Sequence, residues 1–282
     1  MTLSYEECYD HLAANVITPF YEKRQSKIEG LTLDHVLQRK NPYLFKAKYI
    51  ELAQDLVRGI VDAHLISQEE TMFGNLLEGF AVFVSGRLFS GFKSKLKSVD
   101  LEFERDDRYY IVGIKSGIYW GNSDQINRMK DNFKKARVIL RERGVEREIV
   151  AVNGCIYGRD QRSLKDSKFI KGVGRVPEEP EKVYYKYAGQ DFWHFISGDD
   201  ELYREIIKPI DEQAKMRSEA FTKEYNAKIN IMTAEFSERF TGTGVIDWVQ
   251  LIDFVSRRSE REEQQPEPDE LPADELEIPE CE

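Results

Sequence analysis

Apolar residues recur at helical spacing through the first third of the chain. Tyr5, Cys8, Leu12, Val16 and Phe20 predict an amphipathic helix over 4–29, with Pro19 placed to kink or break it near the middle. Leu33, Val36 and Leu37 continue the pattern from Thr32 as far as Arg39-Lys40-Asn41-Pro42. Ile50, Ala53, Leu56, Val57, Ile60, Val61 and Leu65 predict a second long helix over 46–65. Ser67-Gln68-Glu69-Glu70 has the S-x-x-E form of a capping box and predicts a fresh helix start, with Phe73, Leu76, Leu77, Phe80 and Val84 facing a core. Stripes of this kind are ordinarily buried, so residues 1–66 read as a helical scaffold or dimer surface.

The period then changes. Lys93, Lys95 and Lys97 alternate, which predicts an extended segment over 92–97 with the three lysines on one face. Val99–Glu104 alternates apolar with acidic residues: Val99, Leu101 and Phe103 on one side, Asp100, Glu102 and Glu104 on the other. Arg105-Asp106-Asp107-Arg108 turns the chain into a mostly apolar strand, Tyr109–Lys115. Asn122-Ser123-Asp124-Gln125 caps a helix striped by Ile126, Met129, Phe133, Ala136 and Leu140, and Gly144 stops it. Glu148–Tyr157 reads as a strand, Gly158–Lys182 as a long basic loop and Val183–Tyr187 as a short strand. Phe192, Trp193 and Phe195 read as an aromatic core plug. A long helix over 211–240 and a shorter one near 246–254 follow. From Ser67 the order is αβββαβ.

Charge changes this picture at one end. The chain has 51 acids and 41 bases for a net charge of −10, and residues 260–282 hold eleven acids and one arginine. The remainder has 40 of each, so it is neutral, and local basic patches can dominate a binding face. Rich in Pro and Glu and without periodicity, 259–282 reads as a disordered acidic tail. Regions 67–198 and 199–258 read as a mixed α/β core and a helical C-terminal addition. No apolar run approaches a membrane span, and MTLSYEECYDH does not read as a secretory signal. Three distant cysteines, Cys8, Cys155 and Cys281, argue against disulfides or a zinc site and fit a reducing cytoplasm.

The chemistry gathers at the strand pair. Side chains two apart on a strand share a face, so Asp100 and Glu102 are expected to project together, with Lys115 brought alongside by the hairpin. Two carboxylates and an ammonium at strand ends suit a divalent metal and a phosphate ester. Glu78, off its helix's apolar stripe among the small residues Gly74, Ala81 and Ser85, is an alternative second acid, and Asp124 a third. GRLFSGFKS is not a phosphate loop, because Phe92 stands where glycine must precede the lysine.

The same stretch resembles the PD-(D/E)XK nucleases, above all type II restriction endonucleases. There an aspartate on one strand precedes a carboxylate-x-lysine tripeptide on the next; here these are Asp100 and Lys115, with Gly113 in place of the acid. IKSGIYWGN and YAGQDFWHFISG are similar to the group cutting short GC-bounded interrupted palindromes. The resemblance covers Ser67–Gly198 well and the rest loosely. It implies a mixed sheet flanked by helices, a homodimer, double-stranded DNA as substrate and Mg²⁺ as cofactor. It implies a metal held by Asp100, Glu102 or Glu78 and the carbonyl of Ile114, with Lys115 catalytic. Lys93, Lys95, Lys97, Ser116, Asn122, Gln125, Arg159 and Arg162 are the DNA contacts that go with it. A catalytically inactive DNA-binding protein of this fold, and a helical interaction protein, are the alternatives.

Overall fold

The computed structural model describes residues 3–159 and 184–258, and the backbone of 167–170 and 174–177. Arg162 and the acidic tail lie outside the described residues. Ser4 caps α1 (Tyr5–Leu12) through a reciprocal capping box with Glu7. A π-helical turn, Ala13–Ile17, leads directly into α2 (Thr18–Glu29). The widened turn falls just ahead of Pro19, whose missing N–H and bulky ring an α-helical ladder would not accept, so the chain stays helical past the point where a kink or break was expected. Thr32 caps α3 (Leu33–Arg39), and Asn41 caps α4 (Pro42–Ala47).

The expected helix over 46–65 and its successor from Ser67 are both corrected. Residues 48–52 are not helical, Tyr49 having φ +56°, and α5 runs unbroken through Ala53–Phe89. Ser67 is an interior residue, not a cap. The helix continues because it has two cores to fill. Its first half (Leu56, Val57, Ile60, Val61, Leu65) packs with α3 and the C-terminal helices, and its second half (Leu77, Phe80, Ala81, Val84) packs on the sheet.

A sheet of five strands follows: β1 (Phe92–Lys93), β2 (Leu101–Arg105), β3 (Arg108–Lys115), then, after α6 (Ser123–Glu142), β4 (Glu148–Cys155) and, beyond a separate pair β5 (Ser167–Ile170) and β6 (Gly174–Pro177), β7 (Tyr185–Ala188). Their spatial order is β1-β2-β3-β4-β7, antiparallel as far as β3 and parallel from β3 to β7. The predicted αβββαβ order holds, although β1 has only two residues and Lys95 and Lys97 lie in the connection beyond it. Asp106 and Asp107, at φ +49° and +58°, form a two-residue hairpin turn.

Helix α5 and α7 (Gln190–Ser197) cover one face of the sheet, where Phe192, Trp193 and Phe195 are fully enclosed as the aromatic plug. Helix α6 covers the other, burying Met129, Phe133, Ala136 and Leu140 against Tyr109, Ile111, Ile149 and Ala151. The chain closes with α8 (Leu202–Glu205), the long α9 (Ile207–Phe240), the short hairpin β8 (Thr241–Gly242) and β9 (Val245–Ile246), and α10 (Trp248–Ser256). This is a mixed α/β fold with a five-stranded mixed sheet flanked by helices. None of the described helices is long and apolar enough to cross a membrane.

Candidate active site

Strand β3 delivers Lys115 at its C-terminal end, beside the segment that enters β2. Ser98 has φ +61°, a turn held from α6 by Asn132, whose amide donates to Ser98 Oγ at 2.6 Å. That turn interrupts the alternation expected of 99–104. Val99 packs on the α6 side with Leu96, whereas Leu101 and Phe103 pack on the α5 side. Asp100, one residue ahead of β2, is therefore not tied to the face of Glu102.

Its carboxylate hooks over the end of the strand pair. Asp100 Oδ2 accepts from the Ile114 amide at 2.7 Å, and Lys115 Nζ stands 4.0 Å from the same oxygen. Lys93 Nζ, arriving from β1, lies 3.3 Å from Asp100 Oδ1 and also bonds Glu78 Oε1. One ammonium thus bridges two carboxylates, one from α5 and one from the sheet. Burial disfavours the Lys93 charge, but the Glu78 hydrogen bond and the Asp100 charge outweigh it and raise its pKa above the ordinary lysine value. The N–H and C=O of a strand residue point to the same side, so the Ile114 carbonyl faces the Asp100 edge as well. Lys115 Nζ is 3.0 Å from that oxygen and 5.4 Å above the Trp120 ring.

Glu102 is elsewhere. It is buried at 3% exposure and accepts from Tyr109 Oη at 2.7 Å on the α6 side of the sheet. Burial, then that hydrogen bond, push the Tyr109 phenol above the usual tyrosine range, so the hydroxyl stays a donor. The expected convergence of Asp100 and Glu102 is thus corrected: Glu78, linked through Lys93, is the acid that stands beside Asp100. Asp124 is exposed in the first turn of α6.

Packing around Gly113, where the resemblance would put an acid, is tight. A Cβ there would stand 3.0 Å from the Ser98 carbonyl oxygen and 3.3 Å from the Phe133 ring. Gly74 is small for a related cause, since a Cβ on it would meet Ser116 Oγ at 2.4 Å. It lets α5 pass close over the end of β3.

Of the expected DNA contacts, Lys95, Lys97 and Arg159 are exposed. Asn122 and Gln125 are committed to each other in the α6 capping box, at 2.9 and 3.0 Å. Ser116 lies beside Lys115 in a recess of about 630 Å³ walled by Ile118, Tyr119, Trp120, Tyr157 and Trp193. Lys93 was legible as a basic residue near the hairpin, but its bridging position was not. The contact of Lys115 with Trp120 carried no signal beyond the aromatic residues in GIYWGN.

Among the described residues no group of three His, Cys, Asp or Glu side chains is arranged to hold a metal. Two carboxylates and a backbone carbonyl are hard oxygen donors, the set that Mg²⁺ takes with water completing its octahedron. The Lys93 ammonium lies between the Glu78 and Asp100 carboxylates. A family model for "Type II restriction endonuclease EcoO109I" matches residues 8–218. A comparison with curated proteins finds no match.

Proposed function

The chain belongs to the type II restriction endonuclease EcoO109I family, and from that premise we propose that it cuts double-stranded DNA with Mg²⁺ held by Glu78, Asp100 and the Ile114 carbonyl. The observation that supports this reading is the gathering of Glu78 and Asp100 about the Lys93 ammonium, with Lys115 4.0 Å from the other Asp100 oxygen, at the end of the sheet. It is compatible with the PD-(D/E)XK resemblance if helix α5 supplies the second acid that position 113 lacks.

When bound there, Mg²⁺ would supply Lewis acidity toward the phosphate and lower the pKa of water. The chain's own groups supply the rest. The Ile114 amide fixes the orientation of Asp100. Lys115, held near Asp100 and over Trp120, would orient the attacking water and balance charge as it builds on the phosphate oxygens. Lys95, Lys97 and Arg159 would contact the backbone, together with Arg162. The recess beside Lys115 offers aromatic surface next to the bond to be cut.

A short GC-bounded interrupted palindrome as target follows from the resemblance of IKSGIYWGN and YAGQDFWHFISG. Two copies related by a two-fold axis would read such a site, each cutting one strand. Residues 67–198 would form the nuclease unit and the helical ends its support, in a cytoplasmic enzyme.

The test is plasmid DNA with and without Mg²⁺. Discrete, Mg²⁺-dependent fragments are expected from the wild type, and retained DNA binding without cleavage from Asp100→Asn. A wild type that shifts DNA on gels but never cuts it would point to a catalytically inactive relative.

A further inference from the structure

The two carboxylates that would hold the metal already hold a cation of the chain's own. Lys93 Nζ bonds Glu78 Oε1 and stands 3.3 Å from Asp100 Oδ1, in the space a divalent ion must enter to touch both. The position is not a buried structural pair. The Lys93 side chain is 55% exposed, against 22% for Glu78 and 18% for Asp100, so the ammonium lies on the solvent side of the two carboxylates, of which Asp100 is also held by the Ile114 amide. Its strand, β1, is two residues long and lies at the sheet edge, followed by exposed Lys95 and Lys97. Lys93 stands on an edge strand with an exposed, flexible four-carbon stem, so its ammonium can leave the carboxylates toward solvent.

We propose that Lys93 is an internal counter-ion that keeps the free enzyme's metal site closed, and that a DNA phosphate draws it away so that metal loading follows substrate contact. The geometry requires the exchange, because Nζ and a divalent ion cannot share the space between Glu78 and Asp100. Once displaced, the ammonium is one more phosphate contact beside Lys95 and Lys97. Free enzyme therefore binds metal weakly, and DNA strengthens metal binding by taking the competitor, a coupling that is reciprocal. This rests on the reading of Glu78 and Asp100 as the metal pair.

The experiment uses the full chain without DNA and measures Mn²⁺ affinity by calorimetry for the wild type, Lys93→Met, Lys93→Gln and Asp100→Asn. Removing the ammonium is expected to tighten Mn²⁺ binding about tenfold or more in both Lys93 variants. A second readout is DNA binding in EDTA across a salt series, where losing one phosphate contact should reduce the slope by about one. Lys93→Gln keeps a hydrogen-bond donor and serves if Lys93→Met folds poorly. Unchanged or weaker Mn²⁺ binding in the folded Lys93 variants, with binding lost in Asp100→Asn, overturns the counter-ion role and leaves the metal pair standing. Unchanged binding in Asp100→Asn overturns the metal pair and the proposal with it.

Discussion

Glu78→Gln and Glu102→Gln give the sharpest test of the site, because sequence spacing favours one acid and the fold the other. Each change removes a charge and keeps the shape. At Glu78 the lost charge faces the cation space shared with Asp100, on a side chain only 22% exposed. Two unit charges about 4 Å apart at an effective dielectric near 20 interact by about 4 kcal/mol. Lost from the transition state, that corresponds to roughly a thousandfold slower cleavage. The amide oxygen still coordinates weakly, so the Mg²⁺ concentration for half-maximal rate should rise as well. At Glu102 the amide oxygen can still accept from Tyr109, and only the charge-assisted part of that 2.7 Å bond is lost. That is about 1 kcal/mol of stability, with cleavage within about threefold of wild type. The assay is single-turnover cleavage of a short duplex over a Mg²⁺ series, with thermal melts as controls. Near-normal cutting by Glu78→Gln, or a dead but fully folded Glu102→Gln, refutes the assignment.

Returning the acid to its usual place should fail: Gly113→Glu forces a Cβ against the Ser98 carbonyl and Phe133, so thermal melts should show a loss of about 1–3 kcal/mol and no recovery of cleavage in the Glu78→Gln background. Burial, then the charges of His35, Lys40, Arg39 and Lys27, hold His64 below its ordinary pKa. The unfolded chain then takes up a proton first, so this part of the stability is present above about pH 6.5 and is lost as pH falls through the lowered value. His64→Gln should flatten the melting temperature between pH 7 and pH 5, and an unaltered profile would show that His64 is not responsible. Deleting 260–282 removes a charge of −10 and should strengthen nonspecific DNA binding at low salt, measured by anisotropy; equal affinities would count against a repelling tail.

Much of the core was legible because local rules and tertiary packing agree there. The β2–β3 hairpin has period-two alternation and a turn of two aspartates that tolerate positive φ. Helix α6 carries its start signal in Asn122 and Gln125 and its apolar stripe in Met129, Phe133, Ala136 and Leu140. Asp100 and Lys115 could be picked out because they stand at the ends of those strands, and the structure brings them within 4.0 Å.

Other features were decided only in three dimensions. Ser67 has the form of a cap, but a cap requires the preceding residue to leave the helix, and α5 has buried positions to fill on both sides of it. Strand alternation assigns Asp100 and Glu102 to one face only where the strand is continuous. The left-handed turn at Ser98, pinned by Asn132 from a helix 34 residues away, frees Asp100 to reach the Ile114 amide and leaves Glu102 on Tyr109. Glu78 and Lys93 meet Asp100 because a long helix and an edge strand cross at the end of the sheet. Sequence spacing determines directions along one element; which charges face one another across elements depends on how those elements pack.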